Sequence, residues 1–373
     1  MTSRRSLGFV HAAVFLACVC AAAPLGAQPR PARVPDRLGE WLAAVEAHEA
    51  GNPGKVAVDV STWTGYELED AVANARRRAQ TLGKTDPEAA NQLLLRGAEL
   101  HADIGRLIPE EFTRRSPRQL SVYTVVDGRW QSVRYISMHW RLGRQLLDGI
   151  QPAPGSNSAV LSWYRRTSRD LLGLLSNAEA IVHLARARQL FPADAPLFFF
   201  SGIVHERFSS PMLQAGAESL LDDGRGETTL GSMRAELGRA ERFFRDALIH
   251  DAHHVEARVR YGNTLGRLGR HREAIAELRR AITEGAQGDL LYLAHLFLGR
   301  EEEAVRNLDG ARDGYERAAR VRPAAQTPHL ALSFLARRFG DRAAAQRELE
   351  VLARLPAAEA RRDDPWWKYF SLR

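Results

Sequence analysis

Val255 to Ile282 reads VEARVRYGNTLGRLGRHREAIAELRRAI, and this stretch decides the fold. Gly262, Ala274 and Ala281 are small where two helices would touch, and Leu278 supplies bulk beside them. Small residues let helix axes approach closely, and a large neighbour fills the space that remains. The stretch therefore predicts a hairpin of two packed helices.

The same spacing recurs along the chain. Ala180, Ala240, Ala274, Ala311 and Ala345 are each followed four residues later by Leu184, Phe244, Leu278, Tyr315 and Leu349. Seven residues after each stands Ala187, Ala247, Ala281, Ala318 and then Leu352. Twelve residues before, the small residue is Ser168, Gly262, Gly299 or Ser333. Pro192 and Pro323 end two of the second helices, because proline has no amide hydrogen to continue the ladder. Between Ala180 and Ala240 the spacing stretches, yet Gly202 falls in register after Ala180, so an insertion at 209–231 separates the two helices of that copy. A single hairpin cannot bury its apolar face. Neighbouring copies must stack, which predicts an all-α superhelical solenoid over 159–356.

With Gly262, Leu265, Gly269, Ala274, Leu278 and Ala281 at its signature positions, Val255–Ile282 resembles a tetratricopeptide repeat. Arg258 stands at the usual Trp position and Ala286 at the usual Pro. The resemblance covers about residues 160 to 356 in five units. It implies a protein or peptide partner held in a concave groove lined by the first helix of each unit, helix A. Carried onto this sequence, the groove positions are Arg260, Asn263 and Arg267 in the clearest unit. Arg300 and Glu303 follow in the next, and Arg337 and Arg338 in the last. Arg165, Arg169, Glu206 and Arg207 belong to the earlier ones. Arginines dominate this set, so the implied groove favours an acidic segment or a C-terminal carboxylate. The likeness to the family's carboxylate clamp is loose, because Asn263 matches but Val259 replaces the expected lysine.

Before the repeats, Arg4 and Arg5 precede an uncharged apolar stretch from Leu7 to Ala23, and Pro24 to Ala27 give a small-residue exit. This pattern predicts a secretory signal peptide, 1–27, cleaved after Ala27, with a periplasmic or secreted destination and no transmembrane anchor afterwards. The 28–36 linker is rich in proline and arginine. Residues 37–150 predict a helical region. Thr64 with Glu67 forms a capping-box pattern for a helix ending near Leu82, and Asp86-Pro87 opens the next. Val122–Val126 and Arg129–Val133 around Asp127-Gly128 fit either a small hairpin or a polar loop. Residues 151–158 predict a loop. The tail, 357–373, carries Trp366, Trp367 and Phe370, expected to cover the open end of the last hairpin.

The chain has 373 residues, 45% hydrophobic and 26% charged, with net charge +7. That composition excludes disorder over most of its length. Its cysteines, Cys18 and Cys20, both fall in the leader, so no disulfide framework, zinc cluster or cysteine nucleophile is available elsewhere. The sequence has no nucleotide-binding loop and no GxSxG elbow. Neither a cofactor nor nucleic acid is expected for such an exported chain. Two functions fit. One is a non-enzymatic protein-interaction scaffold using the groove. The alternative is a metal-dependent enzyme or small-ligand binder that gathers His101, Asp103, His139 and His205. His250, His253 and His254 cluster at an expected helix–helix turn, where three imidazoles without a carboxylate or thiolate make a poor metal set.

Overall fold

The computed structural model of the protein describes residues 34–50, 63–112, 121–126, 129–174, 177–211, 213–214, 231–355 and 364–369. The leader, most of the linker and the greater part of the 209–231 insertion lie outside the described residues. The chain forms two compact units, 1–171 and 172–373. No described helix is long and apolar enough to cross a membrane.

In the first unit, α1 (Leu38–Glu49), α2 (Gly65–Leu82), α3 (Pro87–Phe112) and α4 (Tyr135–Leu147) pack with most of α5 (Pro154–Gly173). Thr64 caps α2 as its sequence predicts: its hydroxyl accepts the Glu67 amide, and the Glu67 carboxylate takes the Thr64 amide in return. Ser121–Val126 and Arg129–Arg134 pair antiparallel, so the segment left open by its sequence is a hairpin. The core is built from tryptophans seated on glycine notches. A Cβ at Gly97 would sit 2.5 Å from the Trp41 ring, one at Gly105 3.0 Å from Trp140, and one at Gly143 2.6 Å from Trp163. Any side chain at these glycines would displace a fully buried indole.

Trp163 also corrects a boundary. α5 begins at Pro154, inside the expected 151–158 loop. The Trp163 indole donates to the Ala98 carbonyl of α3 at 3.0 Å. The helix expected to open the first repeat is thus tied into the first unit, and the chain divides at Leu171 rather than near 159.

The second unit is an all-helical array of tetratricopeptide-like hairpins. It begins with α6 (Asn177–Leu190) and continues through four pairs. These are α7 (Ala195–Phe208) with α8 (Met233–His250), α9 (Val255–Arg267) with α10 (His271–Thr283), α11 (Gly288–Ala304) with α12 (Leu308–Val321), and α13 (Gln326–Arg338) with α14 (Arg342–Arg354). Each pair also packs on the next. The expected small-to-large contacts are present in three pairs. A Cβ at Gly202 would lie 2.5 Å from Phe244 Cδ1, at Gly262 2.8 Å from Leu278 Cγ, and at Gly299 2.6 Å from Tyr315 Cδ1. The alanines one helix turn either side, from Ala240 to Ala318, are fully buried. Among the described residues no helix pair follows the fourth, and Leu349 is exposed.

Candidate functional site

Helices α7, α9, α11 and α13 occupy the helix-A position of their pairs, and across them lies the segment Asp364–Tyr369. Asp364 caps α15 (Pro365–Lys368), accepting the Trp366 amide. Its carboxylate takes the phenol of Tyr292 on α11 at 2.7 Å and the backbone amide and hydroxyl of Thr327 on α13 at 2.9 and 2.6 Å. The Trp366 and Tyr369 rings meet Phe297 of α11 edge-on. The Arg260 guanidinium of α9 lies 4.8 Å from the centre of the Tyr369 ring. Tyr369 then reaches α7, where its hydroxyl donates to Glu206.

The floor beneath Tyr369 is polar and closed. Glu206 is fully buried, and its carboxylate accepts from Arg260 at 2.9 Å, from Asn263 at 3.0 Å and from Tyr369. Asn263 also donates to the Tyr369 oxygen at 3.1 Å, while its own carbonyl accepts from Arg300 at 2.9 Å. Burial pushes the Tyr369 phenol well above its ordinary range, and the Glu206 charge adds to the rise. The phenol therefore stays protonated and donates. A buried carboxylate is tolerable only when its lone pairs are filled, and here three partners fill them.

These contacts place most of the groove residues implied by the sequence, though not as free charge. Arg260 is buried between Glu206 and Glu256. Arg267 donates to the Ser209 carbonyl at 2.7 Å, at the base of the insertion. Arg300 pairs with Glu301, and Arg338 with Glu303. Arg207 is buried, donating to the Leu172 carbonyl at 2.7 Å, and burial lowers its pKa to about 10. Arg337 is exposed. Arg165 and Arg169 are exposed on α5, on the portion that belongs to the first unit. Three of the eight groove arginines thus face carboxylates, and two of those carboxylates, Glu206 and Glu303, belong to the groove set itself.

The tail also departs from expectation. Trp366 and Tyr369 bind the helix-A face, Trp367 is exposed, and Phe370 lies outside the described residues. The described contacts are therefore not on the open end of the last hairpin.

The histidines separate. His101 and His139 meet in the first unit, Nδ1 to Nδ1 at 2.8 Å, both fully buried. The Trp41 indole can only donate, and it points at His101 Nε2 at 3.2 Å. His101 therefore carries its proton on Nδ1 and donates it to His139, so both His101 nitrogens are engaged. Burial lowers His101 to about 3; burial and the neighbouring imidazole hold His139 well below its ordinary value. Asp103 binds His48 and Arg166 instead. His205 belongs to the second unit and pairs with Glu236 at 2.7 Å. His254 caps α9 through Nδ1, and His250 stacks on Phe198. Among the described residues no group of three or more His, Cys, Asp or Glu side chains could hold a metal ion.

These features define an α-hairpin repeat array with its own C-terminal segment across the helix-A face. No family model matches the chain, and no curated protein does. Solved structures similar to it include MamA 41-end from Desulfovibrio magneticus RS-1, at 19% identity and TM-score 0.42, over 53% of this chain and 96% of that one. Another is MamA MSR-1 C2, at 14% identity and TM-score 0.40, over 54% and 98%. The likeness concerns the helical fold alone.

Proposed function

We propose that the chain is an exported, non-enzymatic scaffold that binds a protein or peptide along the helix-A face of its repeat hairpins. One observation carries this reading: that face already holds a short peptide segment. Six residues, Asp364 to Tyr369, contact α7, α9, α11 and α13 at once through side chains. Stacked hairpins present a continuous face built for extended ligands. Export rests on the Arg4-Arg5 and Leu7–Ala23 pattern.

Affinity capture of the mature protein from the exported fraction of its own cells supplies the partner. Two exposed charges then test the face: Arg337 on helix A and Arg347 on helix B of the last pair. Arg337→Glu is expected to weaken the partner several-fold at low salt, and Arg347→Glu to leave it unchanged. The reverse pattern would place the partner on the outer helices.

A further inference from the structure

Trp366 and Tyr369 pack against the core around Val259, Leu278 and Phe297, and three properties fit this tail to the role of a ligand. The hairpins close on their own glycine-to-large contacts, at Gly202–Phe244, Gly262–Leu278 and Gly299–Tyr315, with no tail residue among them. The tail is gripped on one side, since Tyr369 is 5% exposed while Trp367 is 59% exposed. Its deepest contact is a recognition of polar atoms. A carboxylate, an amide and a guanidinium converge on one phenol, in a place where an apolar core would need no such groups.

We propose that the helix-A face binds a segment of another protein that carries a carboxylate, an aromatic two residues on and a tyrosine five residues on. Asp364, Trp366 and Tyr369 hold that place in the resting chain as an autoinhibitory stand-in. The inference rests on the face being the binding surface and adds the class of ligand. The carboxylate is read by the Tyr292 and Thr327 hydroxyls and the Thr327 amide. The aromatic is read by Phe297, and the tyrosine by Glu206, Asn263 and Arg260. A tethered segment competes at an effective concentration of about 1 mM, so a free peptide of micromolar affinity would appear about a thousandfold weaker against the intact chain. A partner must therefore out-compete the tail or bind as it leaves.

The probe is a fluorescent peptide of residues 363–373, DDPWWKYFSLR, titrated into full-length protein. Wild type is expected to bind it at least tenfold more weakly than full-length Tyr369→Ala. A second form keeps every contact residue: the full chain with a protease site placed within 357–362 and then cut. Cutting is expected to tighten peptide binding at least tenfold, with one site per chain. Glu206→Gln in the cut protein is expected to reverse most of that gain. Folding is followed by the melting transition. A folded Tyr369→Ala or cut protein that ignores the peptide would overturn the inference, as would equal binding by wild type and Tyr369→Ala. A wild-type dimer that Tyr369→Ala dissolves would also overturn it, because the tail would then sit in a second copy. If the peptide fails while Arg337→Glu still loses the captured partner, the ligand class falls and the scaffold stands.

Discussion

Gly202 and Gly238 lie in neighbouring helices and make opposite predictions. A Cβ at Gly202 would be driven into the Phe244 ring, whereas at Gly238 nothing lies within 4 Å. Gly202→Ala is expected to destabilise by about 1–3 kcal/mol through overpacking. Gly238→Ala is expected to stabilise by about 0.5–1 kcal/mol, because alanine restricts the unfolded chain and favours helix. Urea midpoints of the two variants decide it. The buried imidazole pair gives a pH signature. His101 is held at about 3 by burial against an ordinary 6.5, so between those values the unfolded chain binds a proton that the folded chain refuses. Stability is therefore full above about 6.5 and falls as pH drops through the window, by roughly 1.4 kcal/mol per pH unit for each such imidazole. Between pH 7.5 and 5.5 the wild type should lose more stability than His101→Gln in denaturant titrations. Gly202 and Phe244 were legible in the sequence because a repeat register relates them. His101 and His139 stood out as residue types, but no periodicity brings α3 to α4, so their contact was not.

Arg258 shows how an element can keep its place with the wrong residue. At the position where the family carries tryptophan, its buried guanidinium donates to Glu284 and Glu277, both at 2.7 Å, and to the Ala252 carbonyl. An ionic latch thus joins α9 to α10 where an aromatic plug would otherwise do so. His329 and Glu348 make the equivalent link between α13 and α14 at 2.7 Å. Sequence spacing marks the slot but not the partner, since the carboxylates come from the opposite helix. The guanidinium is buried but its carboxylates reach solvent, so Arg258→Ala is expected to lose about 1–3 kcal/mol. The last pair differs again. Phe334 is 61% exposed and Leu349 41%, and among the described residues no further helix pair stacks on them. Repeat arrays fray from ends that lack a neighbour. In native-state hydrogen exchange, the amides of α14 should open before those of α10 and α12; equal protection would show that the last hairpin is buttressed.

At the scale of the whole chain, the array from α7 to α14 was legible because each hairpin repeats one packing problem. The tail contact was not. Tyr369 and Glu206 are 163 residues apart and joined by one hydroxyl, which no period encodes. The same blindness made the groove look like free positive charge when Arg260, Arg300 and Arg338 each face a carboxylate. It also changes how the face should be probed: Arg260→Glu would set a second buried carboxylate against Glu206 and damage the fold, whereas Arg337 is exposed and can be reversed without that cost. Export is checked by intact mass, with a mature chain expected to begin at Gln28; retention of Met1 in a membrane fraction would indicate an anchor. The most direct test of the helix-A face is hydrogen exchange on the full chain with and without its captured partner. Binding should add protection on the exposed sides of α7, α9, α11 and α13 and leave α8, α10, α12 and α14 unchanged. Protection confined to those outer helices, or to the first unit, would contradict a partner seated on the helix-A face.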